Sequence, residues 1–174
     1  MKKIIVLAVF ITAAAIANAQ HPSVKAFYDK YMGLEKVTNI SLQGWVLQMA
    51  AEFTDEEDGK ALLEKITKLR VMVMEEGNLV SKNDYRSLTQ SLEKDSFEKL
   101  MDVRDGDDNI DIYLQEKGGN ISNVLLMVNS PDEFVMLSLE GNLKFEDLKK
   151  LDFDLDGAEH FKKIPKDKKD VPRA

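Results

Sequence analysis

The chain has 174 residues, 44% apolar and 32% charged, with 31 acidic and 24 basic side chains, 9 Gly, 4 Pro and no cysteine. That balance fits one ordinary globular domain and excludes collagen-like and low-complexity chains. It also excludes a disulfide framework, a thiol nucleophile, a cysteine zinc site and lipid attachment at a cysteine.

In chain order, the first segment reads as an export label. Lys2 and Lys3 precede an apolar run over residues 4–11, and small residues follow, ending in Ala17-Asn18-Ala19. A secretory signal peptide has this layout, because the lysines stay on the cytoplasmic side and Ala17 and Ala19 fit the small pockets of the peptidase. Cleavage is expected between Ala19 and Gln20, which makes the protein periplasmic or secreted. The apolar stretch is shorter than the roughly 20 residues that span a bilayer. No later stretch approaches that length, so no transmembrane segment is expected after cleavage. Loss of these 19 residues, two lysines among them, leaves 155 residues with 22 basic against 31 acidic side chains, a net charge of −9. So acidic a body repels phosphates, and nucleic acid is not an expected partner.

Residues 20–161 are expected to form a single α+β domain. Val24, Phe27, Tyr28 and Tyr31 share one helix face, and Gly33 supplies the C-cap. Residues 35–42 are β-prone. Val46, Met49, Ala50 and Phe53 then repeat at helical spacing with Trp45 beside them. A short second helix follows, with Thr54 and Glu57 spaced as a capping box and Ala61, Leu62 and Leu63 on its apolar side. Residues 66–74 alternate and are rich in β-branched side chains, which predicts a strand. Ser81 and Asp84 cap the next helix, whose buried face carries Tyr85, Leu88 and Leu92. Four strand-like runs follow at 98–104, 109–116, 121–128 and 133–140, and their connectors hold Asp-Gly, Gly-Gly and a proline, which are hairpin turn residues. A final helix is expected around 144–150, with Phe145 and Leu148 inward. Residues 162–174 hold six basic residues, two acidic ones and two prolines, and read as a disordered basic tail. Helices and two early strands first, then a four-strand antiparallel meander and a C-terminal helix, make an α+β fold and not a parallel doubly wound one.

Two strands of the meander bear on function. Residues 124–128 are continuously apolar, and Phe134, Val135, Met136, Leu137 and Leu139 load both faces of the next run. A strand apolar on both faces must be covered on both. Either helices flank the sheet on each side, or one face is left for a protein partner or an apolar ligand.

Sites that carry chemistry are sparse. Asp152, Asp154 and Asp156 with Gly157 match the opening of a calcium loop, in which alternate carboxylates converge on one cation. The match fails at the twelfth position, where Lys163 replaces the bidentate glutamate. Leu151, Phe153 and Leu155 between the aspartates describe a half-buried extended segment equally well. A second acidic run over residues 105–111 puts Glu116 at the twelfth position, but Ile110 occupies the place that demands glycine, so a hairpin turn is expected there. His21 and His160 lie toward the two ends, neither placed as a general base. No motif of a zinc protease, a serine hydrolase or a nucleotide-binding loop occurs. The chain therefore reads as no enzyme, with no catalytic residues and no cofactor. Seven methionines follow residue 19, a set that fills an irregular core or lines an adaptable contact surface, with core filling the preferred reading.

The strings Phe27-Tyr28-Asp29-Lys30-Tyr31, VTNISLQGWVLQMA (37–50), KITKLRVM (65–72), FEKLMDVRDGDDNIDIYLQEKGGNISNVLLMV (97–128) and VMLSLEGNLKFEDLKKL (135–151) together carry a resemblance. Over residues 24–152 the chain resembles a family of small exported Bacteroidetes proteins known only as a domain of unknown function. The resemblance implies export, no assigned activity or cofactor, and a role near envelope sensing or stress. Anchored members carry a cysteine, which this chain lacks, so a free periplasmic or secreted form is implied. No functional residue carries over. The reading favoured by these observations is a non-catalytic envelope binding module that uses a sheet face. The alternative is a carboxylate- or metal-dependent hydrolase of envelope polymers, which requires carboxylates converging in one cleft with raised pKa values.

Overall fold

Residues 21–148 are described by the computed structural model. Helix α1 (Pro22–Tyr31) opens on a proline, whose missing N–H costs nothing in a first turn, and buries Val24, Phe27, Tyr28 and Tyr31. Gly33, at φ +87°, turns the chain out of it. Strand β1 (Thr38–Gln43) runs straight into α2 (Gly44–Glu52) and α3 (Glu57–Leu63), and β2 (Ile66–Met74) returns along β1 in antiparallel register, with Asn39 opposite Met72. Helix α4 (Lys82–Lys94) starts at Ser81, whose hydroxyl accepts the Asp84 N–H at 3.1 Å. The meander is β3 (Glu98–Asp105), β4 (Asp108–Lys117), β5 (Asn120–Asn129) and β6 (Phe134–Leu143), after which α5 (Phe145–Leu148) begins. Gly118 and Gly119, both at positive φ, make the two-residue turn between β4 and β5, which their freedom from a Cβ permits.

All six strands join one antiparallel sheet in the order β1-β2-β6-β5-β4-β3. Side chains alternate across it, so each strand feeds two cores. On one face Met72, Met74, Tyr113, Leu125, Met127, Phe134 and Met136 pack with α1 and α4. On the other, Ile112, Val124, Leu126, Leu137 and Leu139 pack in one cluster with Leu47 of α2, Leu62 of α3 and Leu148 of α5. The doubly apolar strands are thereby explained. Residues 124–127 of β5 and 134–139 of β6 are buried whichever way they point. Of the two expected arrangements, helices on both sides of the sheet is the observed one.

The two outer strands differ. β3 carries Glu98, Lys99, Asp102, Arg104 and Asp105 and is broken by a bulge between Lys99 and Met101, two devices that discourage edge pairing. β1 has no charged residue and no bulge, and five of its six residues are exposed.

Three local expectations fail. Thr54 and Glu57 form no capping box: the Thr54 hydroxyl donates to the Ala50 carbonyl at 3.1 Å, the back-bond that competes with capping, and α3 starts only at Glu57 with no side-chain cap. The face of α2 is rotated, since Gly44, Leu47 and Ala51 are buried and Met49 and Phe53 are not. The proposed binding face of the sheet is interior. No helix among the described residues is long and apolar enough to cross a membrane.

Candidate functional site

Two places combine unusual chemistry with defined geometry: a buried carboxylate beneath α4 and an apolar helix surface on the opposite side of the sheet. The carboxylate belongs to Asp111 of β4, the last aspartate of the acidic run over 105–111. Asp105 and Asp108 close the β3–β4 hairpin as expected, whereas Asp111 points inward and is 4% exposed. It pairs across the sheet with Asp102 on β3 and Met127 on β5.

A carboxylate so placed must be compensated. The Tyr85 hydroxyl on α4 donates to its Oδ2, and the Lys99 ammonium stands 2.9 Å from its Oδ1. That second contact is ionic, because Oδ1 accepts no well-directed hydrogen bond. Lys99 also reaches Asp102 at 2.9 Å, and Arg104 meets Asp102 at 3.2 Å. Burial pushes the Tyr85 hydroxyl far above the ordinary phenol range, and its bond to Asp111 adds to this. Burial works against the Lys99 charge, but Asp111 and Asp102 outweigh it and raise its pKa. Asp102 is held below the usual carboxylate range: partial burial opposes its charge, and the Lys99 hydrogen bond overcomes that. The arrangement ties α4 to β3 and β4. With Asp111 at 4% exposure, the arrangement acts as a clamp.

A shallow groove of about 200 Å³ runs between α1 and α4, lined in part by Ser23, Ala26, Ser87 and Ser91. The Lys30–Asp84 pair borders it, at 2.5 Å.

The apolar surface lies on α2. Seven of its nine residues are apolar or glycine, the exceptions being Gln48 and Glu52. Gly44, which starts it, is pressed against β2: a Cβ there would lie 2.9 Å from both Cα and the carbonyl oxygen of Thr67. This contact sets the rotation of the helix and turns Leu47 and Ala51 inward. Trp45, Met49 and Phe53, spaced by four, then fall opposite that buried side. Trp45 is 64% exposed, Met49 52% and Phe53 84%. Ile40 on the adjoining edge strand is 49% exposed. Single exposed apolar residues are common, whereas here three share one stripe.

The family model described as Domain of unknown function (DUF4252) matches residues 31–151, well over half of the chain. The chain belongs to this family. No curated protein and no solved structure matches it. The DUF4252 region takes in every element from β1 to α5, so both the Asp111 clamp and the α2 stripe lie within it.

Asp152, Asp154 and Asp156, the calcium candidates, lie outside the described residues, as do His160, residues 1–20 and the expected basic tail over 162–174. Among the described residues no group of three or more acidic or histidine side chains is disposed to hold a metal. His21 packs edge-on against Phe97, ring centres 4.9 Å apart, just ahead of α1. Met72, Met74, Met127 and Met136 are core, on the face shared with α1 and α4, and Met49 is the one that joins the exposed stripe. The stripe was missed in the sequence because α2 is apolar nearly all round. The available signal was the excess itself: a helix packed on one side of a sheet buries one face, and α2 has apolar side chains for more than one.

Proposed function

We propose that this chain is an exported, non-catalytic binding module of the cell envelope that meets a protein partner through α2. The observation that carries this reading is the stripe of Trp45, Met49 and Phe53, displayed opposite the buried side of the helix and over half exposed at each position. Trp and Met are enriched where proteins meet, because they supply large or adaptable apolar area. The leader-like layout of residues 1–19 supports export, and the family resemblance supports a place in envelope sensing or stress. A hydrolase of envelope polymers would need free carboxylates facing an open cleft, whereas Asp102 and Asp111 share the Lys99 ammonium.

The reading is tested with the mature chain and a triple variant, Trp45→Ser, Met49→Ser and Phe53→Ser. Exposed substitutions of this kind shift stability by only about 0.5 kcal/mol each. Envelope proteins retained by the wild type in a pull-down should be lost with the variant; an unchanged set and yield would refute α2 as the contact surface. Cell fractionation tests the address. The chain should appear outside the cytoplasm, shortened by cleavage after Ala19, and an uncut cytoplasmic chain would refute export.

A further inference from the structure

The α2 stripe does not stand alone. Directly behind it, residues 52–58 hold five carboxylates and no basic residue, and Glu52, Asp55, Glu56 and Glu57 are exposed. The surface is therefore apolar along the helix and strongly anionic at its end. Such a surface repels anionic lipid and selects a ligand that is apolar and basic together.

The chain carries a segment of that chemistry. In residues 161–169, Phe161 and Ile164 are interleaved with Lys162, Lys163, Lys166, Lys168 and Lys169, against a single aspartate. The described chain also ends close to the surface in question. Asp147 of α5 accepts the Lys65 ammonium at 2.7 Å, Asn142 donates its N–H to the Lys65 carbonyl at 3.0 Å, and Lys65 lies two residues past the end of α3. Twelve residues separate Leu148 from Phe161 and can reach about 40 Å when extended. Nine residues of α2 measure only about 13 Å. Tethering so short raises the local concentration to the order of millimolar, enough for a contact with little intrinsic affinity.

We infer that residues 161–169 dock within the same molecule on the α2 stripe and the anionic connector behind it, as a built-in competitor for the partner surface. The inference rests on α2 being that surface, and it is tested without any partner. Trp45 is the sole tryptophan of the chain and sits in the stripe, so its emission and its quenching by acrylamide read the contact directly. Three full-length mature chains are compared: wild type, Lys162→Glu/Lys163→Glu/Lys166→Glu, and Phe161→Ser/Ile164→Ser. Matching circular dichroism establishes equal folding. Both variants should show red-shifted emission and stronger quenching than the wild type, and high salt should move the wild type in the same direction. Identical emission and quenching in all three chains would overturn tail docking and leave the pull-down reading of α2 untouched. Protection of Trp45 that grows with protein concentration as the mass doubles would assign the surface to a second copy, which also overturns the intramolecular contact. Where docking holds, the charge-reversed tail variant should retain more partner than the wild type.

Discussion

Asp84 shows how much one side chain can join. It caps α4 with Ser81, accepts the Tyr31 hydroxyl at 2.8 Å and takes the Lys30 ammonium at 2.5 Å, so the start of α4 is fastened to the end of α1. The Lys30 contact above all, then Ser81 and Tyr31, lowers its pKa to about 2. The folded value thus lies below the unfolded one of about 4. The stabilisation is fully present above that unfolded value and is lost as pH falls toward 2. Urea midpoints measured between neutral pH and pH 2 should fall less steeply for Asp84→Asn than for the wild type, and parallel curves would refute this. Tyr31 has the opposite sign. Burial first, then Asp84, pushes it up to about 12, so stability should decline from about pH 10, where the unfolded chain ionises, until that value is reached. At the Asp111 clamp, Tyr85→Phe leaves a buried carboxylate oxygen without its donor and should cost about 1–3 kcal/mol. A change indistinguishable from zero in urea unfolding would mean the clamp is not holding α4. The Ser81–Asp84 cap was legible because its partners are three residues apart. The Lys30, Tyr31 and Tyr85 contacts were not, since only the packing of α1 and α4 on the sheet brings them together.

Among elements, the meander was the most readable part. Asp-Gly and Gly-Gly marked its turns within short stretches of chain, whereas burial of β4 on both faces from Ile110 to Leu114 follows from the helices that cover the sheet on each side. The sheet order was hidden, because β2 lies beside β6 through a pairing about seventy residues apart in sequence. Helix α2 was misread for a different reason. An apolar repeat gives a helix its face only when the remaining positions are polar, and here the deciding contact is Gly44 on Thr67. Close approaches of this kind make glycine positions unequal. At Gly141 an added Cβ would stand 2.6 Å from the Lys65 carbonyl oxygen, and Gly141→Ala should destabilise by about 1–3 kcal/mol. Gly59, inside α3, meets nothing closer than 3.4 Å, and Gly59→Ala should stabilise by about 0.5–1 kcal/mol through helix propensity. Thermal midpoints moving in the same direction for both variants would contradict the stated packing.

For the whole molecule, the two-sided core changes where function is sought. Strands apolar on both faces suggested an open sheet face, and the described structure spends that apolar area on its own helices. The α2 stripe with its anionic end stays outside. The sequence contained both parts in plain view, yet exposure is a property of the assembled layers and could not be read from spacing. The proposed role of α2 is to meet another protein in the envelope. The direct measurement places a photo-crosslinking side chain at Met49 in living cells, with Lys82 at the start of α4 as control. Illumination should give a discrete adduct heavier than the chain from position 49 and none from position 82. Equal labelling at both positions, or none at 49, would contradict a partner contact through α2.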